Sequence, residues 1–593
     1  MQEIWTVYNK AADFHGIAAK YGIDPVTARV MRNREVVAFE EIEKYLGTGD
    51  FKGYDGTLLK DMETGCEIML EEIKKGGRIR IISDYDVDGI MSNYVLYKGL
   101  CAVYQKWNGN SDQIDYVIPH RMKDGYGLNR NMIEALEQDG ISLLITCDNG
   151  IAAKEEIALA KSKGIKVIVT DHHEVQGELP DADAVIDPKR EDCEYPFKEI
   201  CGAVVAYKFI EQLYKKAGIG QECMQEFYVY IAIATVCDVM KLMDENRYIV
   251  KRGIETLQKQ LETHTVDTGL NALILENHLE EKTITATTFG FIIGPCLNAT
   301  GRLSKAIWGL KLLLEQDERR ARHLAQRMTQ MNEMRKTLSA RFENEAYELA
   351  SKYQNDNVLV IYLPECHESI AGIVAGRVRE KTGKPSIILT RAHQKGMAKG
   401  SGRSIPEYNM FEKLYEKKEM LVHFGGHPMA AGLSLWEKDI EELRNRLNQD
   451  ANLTERDIAI KRHIDLVMPV EYITEELITD LAKLEPYGNG NEKPLFAVRE
   501  LKLTGGRVLG AKANVLRLNF VTAQGTRVSG VYFSSKPLDI LKELEETSGI
   551  AISDCILNNK PFQCITNVIY APSINEYMGN KNVQLRLISL KGV

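Results

Sequence analysis

The sequence lacks the cysteine spacing of a disulfide framework or of a structural zinc site. Its 11 cysteines among 593 residues are scattered, and none forms a C-x-x-C pair. An odd, irregular set is typical of proteins in a reducing compartment. No apolar run reaches the length of a membrane span, and residues 1–16 contain no apolar signal core. We therefore expect a cytoplasmic protein without a membrane segment.

A net positive charge is also lacking. Lys and Arg number 75 against 84 Asp and Glu, which gives a net charge of −9. This argues against a protein that coats nucleic acid by bulk charge, but it allows an enzyme with a local basic groove. At this length we expect several domains, each with its own core.

One acidic motif stands at the end of a predicted strand. Residues 81–90, "IISDYDVDGI", place Asp84, Asp86 and Asp88 at alternate positions. Like charges this close repel each other, so a bound metal ion is expected. A calcium loop of the EF-hand type begins in the same way, but its twelfth residue should be Glu and is Val95 here. We reject that alternative, and a solvated acidic turn fits poorly before a largely apolar helix.

Further carboxylates and histidines follow three more predicted strand ends. "SLLITCDNG" carries Asp148, "KVIVTDHHE" carries Asp171, His172 and His173, and "IAIATVCDVM" carries Asp238. Side chains at the carboxyl ends of parallel strands meet at one edge of the sheet. Oxygen ligands with one or two imidazoles suit Mn²⁺ or Mg²⁺, and so many ligands indicate a two-metal site. Taken singly, an Asp after a strand is most often the N-cap of the next helix, but together and in this order these residues indicate a metal site.

The alternation of strands and helices predicts an α/β fold: two α/β domains joined by a long helix, and an all-β C-terminal domain. Residues 76–240 alternate β-rich and helical stretches, which predicts a parallel sheet. Residues 315–353 contain no Pro or Gly and predict one long connector helix. Period-2 strands near the C-terminus predict an OB-fold. We expect an N-terminal helical leader and four further segments, with boundaries at 1–70, 71–310, 311–355, 356–450 and 451–593.

The order of these motifs resembles a known family. "SDYDVDG", "TCDNGI", "VTDHHE" and "ATVCDV" resemble the four motifs of the DHH phosphoesterase superfamily, and "FGGHPMAAGLSL" resembles its accessory DHHA1 domain. "IPHRMKDGYGLN", "GPCLNATGRL", "CHESIAGIVAGRV", "GSGRSIPEYNM" and "LEPYGNGNEKPLF" are similar to the RecJ-like exonucleases of that superfamily. The resemblance spans nearly the whole chain.

The resemblance implies roles for individual residues. It implies two divalent metal ions, Mn²⁺ in preference to Mg²⁺, with Asp148 bridging them; the implied ligands are Asp86, Asp88, Asp148, His172 and Asp238. Asp84 is implied as an accessory carboxylate, His173 as a contact to the scissile phosphate, and His427 as a group that approaches from the second domain. The residues implied to grip phosphate, including the 5′ end, are Arg121, Ser401 and Arg403, and Arg302 is a further substrate-binding candidate because it lies close in sequence to position 296.

The chain departs from the family pattern at one position. RecJ-like proteins usually carry Arg where this chain has Cys296. The strength of 5′-phosphate recognition is therefore left open, and so is compensation by Arg302.

The implied function is 5′-to-3′ hydrolysis of single-stranded DNA to 5′-mononucleotides, in repair and recombination. A narrow cleft would admit one strand, and the OB groove would offer Arg499, Lys502, Arg507 and Arg517 to the backbone. A helicase and a single-strand-binding protein are sensible sources of substrate, and we expect a monomer. Two alternatives remain: a phosphodiesterase for short oligoribonucleotides or nucleotides, and a non-catalytic scaffold. The C-terminal barrel counts against the first, and the complete ligand set counts against the second.

Overall fold

The computed structural model describes residues 3–125, 127–577 and 580–593. The chain forms two compact units. The larger unit contains Lys52–Lys241 and Glu245–Ile460, and the smaller unit contains Glu3–Phe51, Leu242–Asp244 and Lys461–Val593. Within the described residues, no helix combines the length and the apolar character needed to cross a membrane.

The smaller unit begins with one strand and three helices. They are β1 (Glu3–Val7), α1 (Phe14–Tyr21), α2 (Pro25–Asn33) and α3 (Phe39–Leu46). Helix α2 starts where Asp24 accepts a hydrogen bond from the Val26 amide and Pro25 takes the first helical position. Val30 and Met31 of α2 are fully buried and share a core with Leu477 and Phe496 of the C-terminal segment.

A five-stranded parallel sheet forms the first half of the larger unit, with strand order β3-β2-β4-β5-β6. The strands are β2 (Ile79–Ser83), β3 (Ile114–Val117), β4 (Leu143–Cys147), β5 (Lys166–Thr170) and β6 (Ala184–Ile186). Strands β2 and β4 are buried along their whole length, since helices cover both faces of such a sheet.

Helices surround and follow this sheet. They are α4 (Met62–Lys74), α5 (Val87–Asn108), α6 (Arg130–Gln138), α7 (Lys154–Ser162), α8 (Gly202–Ala217), α9 (Tyr228–Cys237), α10 (Asp244–Glu262), α11 (Thr268–Glu276), α12 (Ala286–Thr288), α13 (Gly294–Leu303) and α14 (Ile307–Leu314). The next helix, α15 (Glu318–Lys352), runs for 35 residues in the segment for which the sequence predicts a connector. Asp317 caps it by accepting from the Arg320 amide.

A second five-stranded sheet completes the larger unit, with order β10-β11-β9-β8-β7. Strands β7 and β8 are parallel, and the other pairs are antiparallel. The elements are β7 (Leu359–Tyr362), α16 (Glu368–Thr382), β8 (Ser386–Arg391), β9 (Met397–Arg403), α17 (Met410–Tyr415), β10 (Leu421–His427), β11 (Ala430–Trp436) and α18 (Ile440–Gln449). Separate apolar clusters lie on its two faces, one including Ile387 and Leu389 and one including Ile388.

The C-terminal part of the smaller unit is a barrel. Strands pair in the order β14-β15-β16-β18-β17, and the β14–β17 pairing closes the ring. Helix α19 (Glu455–Ile458) still belongs to the larger unit. The elements that follow it are β12 (Ile460–Ile464), β13 (Leu466–Val467), α20 (Glu475–Ala482), β14 (Phe496–Leu509), β15 (Val515–Val521), β16 (Arg527–Phe533), α21 (Lys542–Ser548), α22 (Ile552–Leu557), β17 (Cys564–Tyr577) and β18 (Asn580–Gly592). A five-stranded barrel is the architecture of an OB-fold.

The predicted fold class is thus confirmed. The predicted domain boundaries stay predictions, and the first of them differs from the division into units. Residues 3–51 contain a strand as well as helices and pack with residues 461–593, whereas 52–70 belong to the larger unit. Local sequence pattern cannot reveal this pairing of the two chain ends, because it depends on a core shared across more than 400 residues of chain.

Candidate active site and nucleic-acid interface

The acidic motif lies in the turn between β2 and α5. Asp86 is the N-cap of α5, and its Oδ1 accepts a hydrogen bond from the Gly89 amide at 3.0 Å. Asp88 lies in the first turn and is buried. Its two oxygens accept from the first amides of α8, from Gly202 at 2.7 Å and from Ala203 at 2.9 Å. The positive end of α8 therefore holds the Asp88 carboxylate in place.

His172 is the side chain on which the carboxylates converge. Its Nε2 lies 3.1 Å from Asp148 Oδ1, 3.5 Å from Asp88 Oδ2 and 3.7 Å from Asp238 Oδ2. Asp148 follows β4 and adopts a φ of 58°, in the left-handed region. Asp238 follows helix α9 and not a strand, so its place in the cluster comes from helix packing.

The cluster has the composition of a divalent-metal site. Single ligand atoms of Asp84, Asp86 and Asp148 lie within 4.8 Å of one another, as do those of Asp88, His172 and Asp238. Burial, and after it the neighbouring carboxylates, raise the pKa of Asp84, Asp86, Asp148 and Asp238.

Divalent cations would remove the repulsion among these carboxylates. Within the described part of the chain, Asp84 Oδ1 is moreover buried without a hydrogen-bond partner. The residues present therefore fit metal ions bound by oxygen and imidazole.

Asp171 has a role that sequence reasoning missed. Its Oδ1 lies 2.7 Å from His173 Nδ1 and accepts from the His172 amide at 2.8 Å, while its Oδ2 accepts from the Ile151 amide at 2.9 Å. Burial opposes a charged imidazole, but the Asp171 contact raises the pKa of His173 to about 9. Asp171 thus orients His173 and favours its protonated form. The signal available in the sequence was the position of Asp171 directly after the β5 segment and before two histidines.

The predicted phosphate-binding residues line one cavity of about 440 Å³. Arg121 and Arg302 come from the first half of the larger unit, and Ser401 and Arg403 come from β9. Tyr85, which lies between Asp84 and Asp86, also lines this cavity, and Arg121 stacks on its ring at 4.6 Å. Tyr85 therefore belongs both to the acidic motif and to the lining of the cavity that contains the phosphate-binding candidates.

Positive charge accumulates around this cavity. Burial, and then Arg121, Arg335 and Arg403, lower the pKa of Arg302 to about 9. Burial, and then Arg379 and Arg121, also lower the pKa of Arg403. Arginines that lower one another's pKa in this way are stabilised by a bound anion, and phosphate matches the geometry of their N–H donors.

Two positions singled out by the family resemblance, 427 and 296, are not among the described residues that line this cavity. His427, at the end of β10, is exposed and is not among the described residues that line the cavity. Cys296 is buried, and its thiol donates to Asn277 Oδ1 at 3.7 Å and accepts from Asn332 Nδ2 at 3.4 Å. Asn332 Oδ1 in turn accepts a hydrogen bond from the Arg335 guanidinium at 2.8 Å. Position 296 therefore supplies no arginine itself, but Cys296 contacts the Asn332 side chain that binds Arg335.

The barrel of the smaller unit carries a row of arginines. Arg507, Arg517, Val531 and Arg586 are successive register partners across β14, β15, β16 and β18. Phe533, which follows Val531 on the same face of β16, is 56% exposed, and Arg586 lies 5.8 Å from its ring. Among the predicted groove contacts, Lys502 and Arg499 are exposed on β14 away from this row. Sequence reasoning missed Arg586 and Phe533, because strand order decides which residues become neighbours.

Three protein-family models match the chain in succession. They are the DHH family, N-terminal domain, at residues 78–235; the DHHA1 domain at 355–452; and the RecJ OB domain at 464–589. The matches fall on the first sheet, the second sheet and the barrel, respectively.

Individual proteins match over longer stretches. The crystal structure of RecJ in complex with Mn²⁺ from Thermus thermophilus superposes with a TM-score of 0.80 at 24% identity, over 100% of this chain and 80% of that one. A structure of exonuclease RecJ bound to manganese matches with a TM-score of 0.57 at 28% identity, over 68% of this chain and 96% of that one.

A sequence relative carries the assignment. The single-stranded-DNA-specific exonuclease RecJ of Bacillus subtilis is 35% identical over 568 residues, which are 95% of this chain and 68% of that protein. With that identity over most of both chains, and with the DHH, DHHA1 and OB segments in one order, the chain belongs to the RecJ family.

Proposed function

We propose that the chain is a metal-dependent 5′-to-3′ exonuclease that hydrolyses single-stranded DNA to 5′-mononucleotides. The observation that carries this proposal is the convergence of Asp88, Asp148 and Asp238 on His172 Nε2 within 3.7 Å. Two divalent ions bound there, Mn²⁺ or Mg²⁺, would supply activation of water and neutralisation of charge on the phosphodiester. A solved relative of the same family is described as bound to manganese.

The chain's own residues have separate tasks in this chemistry. Asp86, Asp88, Asp148, His172 and Asp238 would hold the metal ions, and Asp84 would serve as an accessory carboxylate. His173, oriented by Asp171, contacts the scissile phosphate and stabilises its developing negative charge. His427 approaches the substrate from β10.

The arginine-lined cavity supports the polarity of the reaction. Arg121, Arg302, Ser401 and Arg403 bind the 5′-terminal phosphate, and Tyr85 connects that cavity to the acidic motif. An end held beside the metal cluster restricts cleavage to the first phosphodiester bonds, which gives exonuclease rather than endonuclease action.

The barrel supports long single strands as substrates. Arg507, Arg517 and Arg586 offer phosphate contacts, and the exposed ring of Phe533 offers a stacking surface. We further propose that the protein acts as a monomer in the cytoplasm, in DNA repair and recombination. A helicase and a single-strand-binding protein would supply its substrate.

A cleavage time course with Mn²⁺ tests the proposal. The substrates are a single DNA strand of roughly 40 nucleotides, the same strand as a blunt duplex, and RNA di- to tetranucleotides. The long strand tests binding to the row of arginines on the barrel. We expect rapid release of mononucleotides from the 5′ end of the long strand and little cleavage of the duplex. Activity confined to the short RNA pieces would instead assign the chain to the small-oligonucleotide phosphodiesterases.

A further inference from the structure

One face of the second sheet borders the arginine-lined cavity. Cross-strand register places Lys399, Ser434 and His423 in one row across β9, β11 and β10. The next row along the strands holds Ser401, Gly432 and Gly425. All six residues line the cavity, as does Arg403 beyond the second row.

Two glycines leave the middle of this face bare. A Cβ built on Gly425 meets nothing within 4 Å, and one built on Gly432 meets only the Gly400 carbonyl oxygen at 4.0 Å. Packing within the protein therefore does not require glycine at these two positions. Their lack of a side chain keeps a flat backbone floor open toward the cavity, and a flat floor without side chains is suited to close contact with a ring.

The two ends of the floor differ in charge. Arg403 stands at one end. At the other end Lys399 pairs with Glu368, another cavity-lining residue, at 3.4 Å, beside the Ser434 hydroxyl and the His423 imidazole. A carboxylate at that end opposes a second phosphate, whereas a mixture of donors and acceptors suits the polar edge of a base.

The size of the cavity agrees with a ligand larger than phosphate. Its volume of about 440 Å³ lies in the range of sites that hold whole small molecules. From Lys399 to Arg403 the strand extends about 13 Å, four residues at about 3.3 Å each. This length matches a nucleotide laid with its phosphate at the arginines and its base at the polar row.

Building on the function proposed above, we propose that this cavity holds the complete 5′-terminal nucleotide. Its phosphate lies at Arg121, Arg302 and Arg403. Its sugar and base lie on the floor of Gly425 and Gly432, and the base edge contacts Ser434, His423 and the Lys399–Glu368 pair. The terminal base then contributes to substrate affinity, and the enzyme distinguishes a 5′-phosphorylated end that carries a base from one that lacks it.

The first test uses 5′-phosphorylated single strands that differ only at the first residue, dA in one and a tetrahydrofuran abasic analogue in the other. We expect a KM about ten-fold higher for the abasic strand with the wild-type protein, the size of one stacking or base-edge contact. Gly432→Val, whose side chain enters the open space above the floor, should abolish the difference between the KM values of the dA strand and the abasic strand. Equal wild-type KM values for the two strands would overturn the proposal.

A matched pair of variants addresses the polar row. His423→Ala should reduce the difference between the two strands, while Val422→Ala, next to it on β10 and outside the cavity lining, should preserve that difference. Loss of the difference in both variants would assign the effect to strand β10 as a whole and not to the base contact.

A binding measurement separates this inference from the proposed function. Calorimetry without metal compares dAMP with deoxyribose 5-phosphate on the wild-type protein and on Gly432→Val. We expect dAMP to bind the wild-type protein about ten-fold more tightly, and the two ligands to bind the variant equally. Equal wild-type affinities sink the base site even if the enzyme cleaves DNA. Tighter dAMP binding without any cleavage of single strands would keep the site and sink the exonuclease proposal.

Discussion

Asp171 Oδ1 lies 2.7 Å from His173 Nδ1, and this contact orders the imidazole that we assign to the scissile phosphate. Asp171→Asn keeps the shape of the side chain and removes its charge. We expect kcat to fall about 10- to 100-fold with KM nearly unchanged, as when an orienting partner of a catalytic group is lost. Steady-state kinetics with Mn²⁺ measure this, and an equal change in KM would contradict a role in orientation.

Asp148 is predicted to be indispensable for cleavage. Its φ of 58° favours Asn as the replacement, because Asn tolerates the left-handed region better than Ala. Asp148→Asn should lower cleavage at least about 100-fold, since it removes a charged ligand from the centre of the cluster. The thermal midpoint and single-strand affinity in EDTA should stay at wild-type values. Near-full activity with Mn²⁺ would show that Asp148 is not the bridging ligand.

Gly202 is predicted to limit how the candidate metal ligands Asp148 and Asp88 pack. A Cβ at this position would lie 2.8 Å from Asp148 Cβ and 3.1 Å from Asp88 Oδ2, so both carboxylates must shift. Gly202→Ala should raise the Mn²⁺ concentration for half-maximal activity about 10- to 100-fold. A Mn²⁺ titration of the cleavage rate measures this, with thermal unfolding in EDTA as the control for folding. An unchanged half-maximal concentration would mean that the cluster tolerates the shift.

Arg403 is predicted to recognise the phosphorylated 5′ end. It lines the cavity with Arg121 and Arg302, and its guanidinium donates to the Gly402 carbonyl oxygen at 2.8 Å. Arg403→Ala should raise the KM of a 5′-phosphorylated strand about ten-fold, the value of one charge-assisted contact. A 5′-hydroxyl strand should change much less. Equal losses on the two strands would remove this role.

The arginine row of the barrel is predicted to serve long strands only. Arg517→Ala and Arg586→Ala should each weaken binding of a strand of roughly 40 nucleotides and reduce the slope of log K against log salt by about 1, as expected for one lost phosphate contact. Cleavage of tetranucleotides should be unaffected. Lys542→Ala, in helix α21 outside the row, is the matched control. A salt slope unchanged in both arginine variants would place the DNA path elsewhere.

The sequence predicted the elements that obey local rules. The segment "IRIIS" coincides with β2 and "KVIVT" with β5, because buried parallel strands are continuous β-branched runs. The candidate ligands Asp86, Asp88, Asp148 and His172 lie together because the parallel sheet order brings the ends of β2, β4 and β5 to one edge.

Other features depend on tertiary structure and could not be predicted locally. The place of Asp238 beside His172 results from the packing of α9, and the Arg507–Arg517–Arg586 row results from the strand order of a closed barrel. Cys296 is linked to Arg335 through Asn332 on α15, which donates to the thiol and accepts from the guanidinium. No spacing within the sequence encodes these three relationships.

The shared core of the smaller unit has a consequence for synthesis on the ribosome. Val30 and Met31 are made early, but their partners Leu477 and Phe496 lie beyond residue 461. At about 5–20 residues per second, translation from Phe51 to Lys461 takes on the order of tens of seconds. During that time the apolar faces of α1–α3 lack their C-terminal partners and can pack only against one another, while the larger unit is already emerging. The N-terminal helices of a nascent chain therefore expose apolar surface until the C-terminal segment has been synthesised.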